Sequence, residues 1–368
     1  MVRALWLELS RRGHPGVDFC PVYAGAGHGY LHARWGAEAE RPTLTRQTVV
    51  AQPGDQFLGL DLAAHYVPHC AEQLAEWRRA GVSINFVVYD LLPLSRPDWF
   101  NRPTVRHFRR WFTAITAHGD RLLCISDAVA GQVRDRLGTR DNPEIGRLFL
   151  SGDLAHSRPS TGVCGNVEQL LKDLSGVPTL LMVGTVEPRK GHAEALRAME
   201  YLWAERGDKA PSLLILGKAG WKTDELQQQI RGHREFGRRL QWVEGASDEA
   251  LDRAYKDASA LLLATRSEGF GLPLVEATRH RKWVLARDLP VFREQNLGNV
   301  HYFRDDRPPA LAASIELIMA AAARSAPPVQ QLPTWSECAD RLLSEMGIDS
   351  APNVAGDEQP SMRVTAVR

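Results

Sequence analysis

Short apolar or β-branched runs alternate along the chain with longer amphipathic stretches, the rhythm of βαβ units, and this predicts an α/β fold with parallel sheets. In the first half the apolar runs predict strands over 16–23, 56–60, 83–89, 121–125 and 145–150. In the second half they predict strands over 179–183, 212–216, 240–243, 260–264 and 283–286. Amphipathic periodicity predicts helices over 63–79, 104–118, 192–205 and 248–257, and one over 334–346 whose Thr334 and Glu337 have capping-box spacing.

Pro159, Gly162, Gly165, Gly176 and Pro178 punctuate one stretch as a linker between two sheets. The expected organisation is a first domain over 1–175, a second over 176–326, a helix-bearing segment over 327–349 that packs back towards the first, and a polar, aperiodic and therefore disordered tail over 350–368. A length of 368 residues accommodates this.

Composition narrows the function. Lys and Arg number 45 against 44 for Asp and Glu, a formal charge of +1, so no global field favours nucleic acid and any anion must be held locally. The 5 cysteines are scattered singly, which argues for reduced thiols. No run approaches the roughly 20 apolar residues of a membrane helix. The first residues, with Arg3, Arg11 and Arg12, lack the apolar core of a signal peptide, so a cytoplasmic location is expected.

Two stretches carry candidate chemistry. In 179–192 a strand ends at Val183, Gly184 permits a tight departure, and Arg189 and Lys190 stand just before a helix. Free N–H groups at a helix start, with a guanidinium fork beside them, suit a diphosphate; solvated loop charges are the alternative. In 267–277, Glu268 lies in a loop and Glu276 on the following helix, with Pro273 in its first turn. Gly269 and Gly271 let backbone N–H groups approach a ligand, while the carboxylates accept hydrogen bonds from the vicinal hydroxyls of a sugar or ribose.

Glu268 and Glu276, enclosing Gly-Phe-Gly-Leu-Pro-Leu-Val, resemble the E-x7-E motif of the retaining glycosyltransferases of family 4, the glycosyltransferase group 1 domain. The likeness continues through 183–191, 214–221 and 290–294. It implies a GT-B fold, two Rossmann-like domains facing across a cleft. It further implies that Lys190 and Arg189, beside Gly184, hold the donor diphosphate. Glu268 would contact the transferred hexose alongside the N–H groups of Phe270 and Gly271, within the loop that Gly269 and Leu272 complete. Glu276 would take the ribose hydroxyls, and Val243 to Gly245 would border the base.

The Glu-Pro-Arg-Lys variant is similar to bacterial mannosyltransferases of O-antigen and exopolysaccharide assembly. The implied donor is therefore GDP-mannose, with a glycan or lipid-linked acceptor, no separate cofactor and no metal. Many members carry an arginine where this chain has Thr185, and Arg189 would supply that charge.

In the first half, Tyr89-Asp90-Leu91-Leu92-Pro93 resembles a His-Asp-x-x-Pro segment of that subgroup, with Tyr89 in place of histidine. Asp90 is a candidate for orienting or deprotonating an acceptor hydroxyl, or a structural turn residue. Ser126 reads as a helix N-cap at a turn that borders the cleft in the family. Gly25, Gly27 and Gly29 read as a flexible loop. Arg102, Arg106, Arg109 and Arg110 flank Phe108, Trp111 and Phe112 on a helix that packs on its own sheet, or else rests peripherally on the inner membrane's cytoplasmic face.

The chain opens on what resembles the family's first helix, so the first domain is expected to lack its opening strand and glycine loop. The alternative to an active transferase is a catalytically impaired nucleotide-sugar-binding relative or assembly partner.

Overall fold

A computed structural model describes residues 1–12, 14, 17–25, 29–34, 43–139, 143–154, 162–348 and 362–367. The chain divides into unit 1, Met1–Ser151 with Pro333–Arg368, and unit 2, Gly152–Leu332.

Unit 1 begins with helix α1 (Val2–Arg12) and three antiparallel strands, β1 (Val17–Gly25), β2 (Gly29–Arg34) and β3 (Thr43–Thr48). Parallel strands β4 (Gln56–Gly59), β5 (Ser83–Val88), β6 (Arg121–Cys124) and β7 (Glu144–Arg147) follow. Between them run helices α2 (Ala71–Arg79), α3 (Leu92–Ser95), α4 (Arg102–His118) and α5 (Asp127–Leu137). An aromatic cluster organises the core: Phe57 lies 4.8 Å from Tyr30 and 5.6 Å from both Trp77 and Phe86, ring centre to ring centre. Helix α4 buries Phe108, Trp111, Ala114 and Ile115, and it turns Arg102, Arg106, Arg109 and Arg110 to the surface.

Unit 2 opens with helix α6 (Gly165–Leu174), inside the stretch expected to be a linker. Val167, Leu170, Leu171 and Leu174 recur at helical spacing, a stripe that the flanking glycines and prolines disguised. Its burial of Leu171 and Leu174 moves the boundary from residue 176 back to Gly152.

The strands that follow are β8 (Thr179–Val183), β9 (Ser212–Leu216), β10 (Leu240–Val243), β11 (Ala260–Leu263), β12 (Trp283–Arg287) and β13 (Val300–Phe303). They form a parallel sheet in the order β10-β9-β8-β11-β12-β13. The intervening helices are α7 (His192–Arg206), α8 (Asp224–Arg231), α9 (Asp248–Asp257), α10 (Leu272–Arg279), α11 (Pro290–Arg293) and α12 (Pro308–Arg324). Strands β9 and β11 are buried at every position, as strands covered on both faces must be, which is why they read as continuous apolar runs and not as alternations.

The chain then returns to unit 1. Helix α13 (Trp335–Glu345) starts at the expected capping box: Thr334 Oγ1 accepts the Glu337 N–H at 3.2 Å, and Glu337 Oε2 accepts the Thr334 N–H at 2.7 Å. It packs against α1. Part of the tail expected to be disordered forms strand β14 (Met362–Val367). This strand lies between β1 and β4, parallel to both, with Val17 opposite Met362 and Gln56 opposite Val364.

Val364, Thr365 and Val367 are β-branched, and a position between two parallel strands supplies main-chain partners on both sides, so tertiary context overrides the missing periodicity. Expectations falling on 26–28, 155–161 and 349–361 lie outside the described residues.

A chain ending at residue 348 should leave β1 and β4 with unpaired edges. Hydrogen exchange is expected to show amide protection falling about tenfold or more over 17–22 and 56–59, with unit 2 unchanged. Unaltered protection in those strands would contradict the pairing.

Candidate active site

In unit 2 the strand order reverses between β8 and β11, with β9 and β10 to one side and β12 and β13 to the other. Such a reversal opens a crevice outside the carboxyl ends of the two strands. The loops leaving those ends, 184–191 and 264–271, carry the two motifs singled out in the sequence.

Close backbone approach joins them. Gly191 has φ +75°, and a side chain on it would run into the carbonyl of Ala264. The Arg266 N–H donates to the Arg189 carbonyl at 2.7 Å. This brings Glu268 between the two cations: Oε1 accepts from Lys190 Nζ at 2.5 Å and Oε2 from Arg189 Nη1 at 2.9 Å. Arg189 also donates to the Ser267 carbonyl at 2.9 Å and pairs with Glu187 at 2.8 Å.

Side-chain exposures of 15% for Arg189, 14% for Lys190 and 11% for Glu268 set aside the reading as solvated loop charges. Burial alone would push the Glu268 carboxyl up; Lys190 and Arg189 outweigh it and hold the group at about 2, ionised at any physiological pH.

The lysine stem passes over Gly184, whose φ is +131°; a Cβ there would sit 3.4 Å from Lys190 Cε. Helix α7 starts from Gly191 and α10 from Gly271, both left-handed and neither giving a side-chain cap to its helix. The ring of Phe292 occupies the space where a Gly271 side chain would go. Buried His192, first residue of α7, is driven down to about 3 by burial and by Lys190, so it stays neutral and adds no charge.

Glu276 lies on α10 and is buried, with Oε2 accepting from the Tyr255 hydroxyl at 2.7 Å. Burial pushes its carboxyl up to about 6 against the lowering effect of that hydrogen bond. At the end of β10, Glu244 accepts the Ala219 N–H at 2.9 Å and Trp242 Nε1 donates to the Gly217 carbonyl at 2.8 Å. These bonds fasten Val243 to Gly245 against the loop after β9.

Unit 2 therefore gathers Gly184, Arg189, Lys190, Glu268 and the loop through Gly269, Phe270, Gly271 and Leu272, with Glu276 one helical turn on and Val243 and Gly245 two strands along the same edge. Asp90 belongs to unit 1. It follows β5, and its Oδ1 accepts the Leu92 N–H at 2.9 Å, a turn-forming contact at the start of α3. Ser126 is buried and caps α5 by accepting the Val129 N–H at 3.1 Å. Among the described residues no cluster of three or more His, Cys, Asp or Glu side chains could hold a metal ion, and no helix is long and apolar enough to cross a membrane.

Glu187 and Tyr255 join the site without standing out in the sequence pattern. Glu187 directly precedes Pro188-Arg189-Lys190, and an acid so placed was a legible signal for a charge partner.

Residues 171–326 match the family of glycosyl transferases group 1. The serotype-specific mannosyltransferase WbdA of Escherichia coli is 36% identical over 358 residues, covering 94% of this chain and 44% of the relative. The chain thus carries a glycosyl transferases group 1 domain over residues 171–326. It spans about half the length of the curated relatives it matches. The O-antigen chain mannosyltransferase B of Escherichia coli is 37% identical over 220 residues, covering 58% of this chain and 52% of that one. Among solved structures, Anabaena HepE in complex with UDP-glucose is similar with a TM-score of 0.56 at 15% identity, covering 80% of this chain and 75% of that chain. That likeness shows the GT-B fold.

Within this domain, the raised carboxyl of Glu276 has a measurable consequence. A group raised from 4.5 to about 6 favours folding in its protonated form, a contribution complete below pH 4.5 and lost as the pH rises through 6. Glu276→Gln, neutral at every pH, is expected to raise the unfolding free energy by about 2 kcal/mol at pH 7.5 and by almost nothing near pH 4.5. Urea titrations of both proteins at the two pH values check this.

Proposed function

We propose that the chain is a retaining glycosyltransferase. It moves a hexose, mannose foremost, from a nucleoside diphosphate sugar to a glycan or lipid-linked acceptor in cell-surface polysaccharide assembly. The observation carrying this is the placement of Glu268 between Lys190 and Arg189 at the strand-order reversal of unit 2. The names of the relatives, two of them O-antigen or serotype mannosyltransferases of Escherichia coli, support mannose and the O-antigen setting, and with them GDP-mannose as donor.

The charges suit the chemistry. Arg189 and Lys190 are balanced by Glu187 and Glu268, so these four side chains sum to zero. The negative charge that develops on a departing diphosphate then falls to the cations together with the start of α7, to which Gly191 gives no side-chain cap. This takes the place of a metal in the proposed same-face displacement.

Glu268, locked as a carboxylate, accepts hydrogen bonds from hexose hydroxyls, and Glu276 accepts them from the ribose. Asp90 serves the acceptor hydroxyl, a role that rests on resemblance. The exposed arginines of α4 support peripheral contact with the cytoplasmic face of an anionic membrane.

Thermal shifts with GDP-, UDP- and ADP-sugars test the donor. A ligand at about 100 times its dissociation constant stabilises by ~2.7 kcal/mol, and GDP-mannose is expected to give the largest shift. Lys190→Gln and Glu268→Gln are each expected to slow transfer by about 10²-fold or more at a temperature where circular dichroism shows the variant folded. Turnover like the parent's in either variant refutes the site. Donor binding without transfer by the parent chain would favour the impaired relative.

A further inference from the structure

The second glutamate of the motif does not stand alone. Tyr255 is fully buried on α9, and its hydroxyl reaches Glu276 Oε2 on α10 at 2.7 Å, with the Pro273 carbonyl of α10 3.5 Å away. Glu276 Oε1 has no partner among the described residues. The phenol is itself fixed: its ring stacks on His280, centroids 5.1 Å apart and planes 22° from parallel. His280 in turn bonds the Glu276 carbonyl at 2.8 Å through Nδ1 and Asp252 at 2.8 Å through Nε2.

Asp252 and Tyr255 are three residues apart on α9, and His280, the C-cap of α10, is four residues from Glu276, so each pair shares a helix face. Two facing pairs thus clasp the helices together and leave one carboxylate oxygen unengaged.

We infer that Tyr255 is a positioning residue for donor recognition, holding one oxygen of Glu276 so that the other is presented to the vicinal hydroxyls of the donor ribose. This rests on the proposed reading of Glu276 as the ribose acceptor. The phenol donates one hydrogen bond, and it does so only to an acceptor oxygen. It therefore selects the rotamer in which Oε2 faces α9, and a ribose hydroxyl meets an oxygen already oriented. Without the phenol the carboxylate would be free to turn, and the ordering would have to occur on binding.

The test separates ribose recognition from general stability. Binding of GDP and of 2′,3′-dideoxy-GDP is measured by calorimetry for the parent and for Tyr255→Phe. The parent is expected to prefer GDP by about tenfold, the scale of a charge-assisted hydrogen bond. In Tyr255→Phe the preference should fall below about threefold through weaker GDP binding, with dideoxy-GDP bound as before.

Equal weakening towards both ligands would mean that the phenol only supports the fold, and an unchanged preference would mean that it does not position Glu276; either overturns the inference. A parent with no preference, or none of the binding, would instead remove the ribose role of Glu276 itself, and the inference would fall with it. If Tyr255→Phe does not fold, His280→Phe keeps a ring beneath the phenol while removing its two hydrogen bonds. The GDP preference should then drop by part of the same amount, and a fully retained preference overturns the inference.

Discussion

A carboxylate removed from water must be compensated, and in unit 2 that requirement ties the site to the fold. Glu268 is compensated by Lys190 and Arg189, which come from a different loop at the end of a different strand. The pairing exists only because β8 and β11 are neighbours where the strand order turns, and because Gly191 lets one loop lie directly on the backbone of the other. Removing one member of a buried cluster leaves an uncompensated charge, which costs about 3–5 kcal/mol. The site is therefore held in shape by the same contacts that would meet a ligand. A chain with a formal charge of only +1 can still present a strongly structured local field.

Glycine performs one task twice at this edge. A serine or aspartate at a helix N-cap stabilises the helix by accepting a first-turn N–H, and in doing so occupies that donor. Gly191 and Gly271 stand at the N-caps of α7 and α10 without side chains to do this. The helices forgo that bond; in α10 Pro273 has no N–H and the Leu274 N–H turns to the Gly271 carbonyl at 2.9 Å instead. Both are covered by the body of the unit: α7 buries Leu196, Met199, Leu202 and Trp203, and α10 buries Leu274 and Val275. Tertiary packing supplies what the missing caps do not.

Much of this was legible in the sequence, and the exceptions have physical reasons. Strands buried on both faces, such as β9 and β11, stand out as apolar runs, and α13 announced its start through Thr334 and Glu337. Helix α6 was hidden by the glycines and prolines around it, although its leucine spacing was present. The hairpin strands β2 and β3 gave no clear alternation, and β3 is exposed at five of its six positions and half-covered at one. The motif spacing located Glu268 and Glu276. It did not show that Arg189 would cross 79 residues of sequence to reach Glu268, because that distance is closed by sheet topology and not by local pattern. Tyr255 looked like any aromatic on the inner face of an amphipathic helix; only its partner distinguishes it.

The return of β14 to unit 1 has a consequence for biosynthesis. Unit 2 is interposed between residues 151 and 333 of unit 1, so the strand that fills the position between β1 and β4 is translated after the whole of unit 2. Domains fold as units while the chain emerges from the ribosome. Here unit 2 is complete first, while the earlier-made strands of unit 1 wait with two facing edges unsatisfied, the kind of surface that recruits foreign strands. The sheet of unit 1 can therefore close only after residues 362–367 have emerged, later than every residue of unit 2.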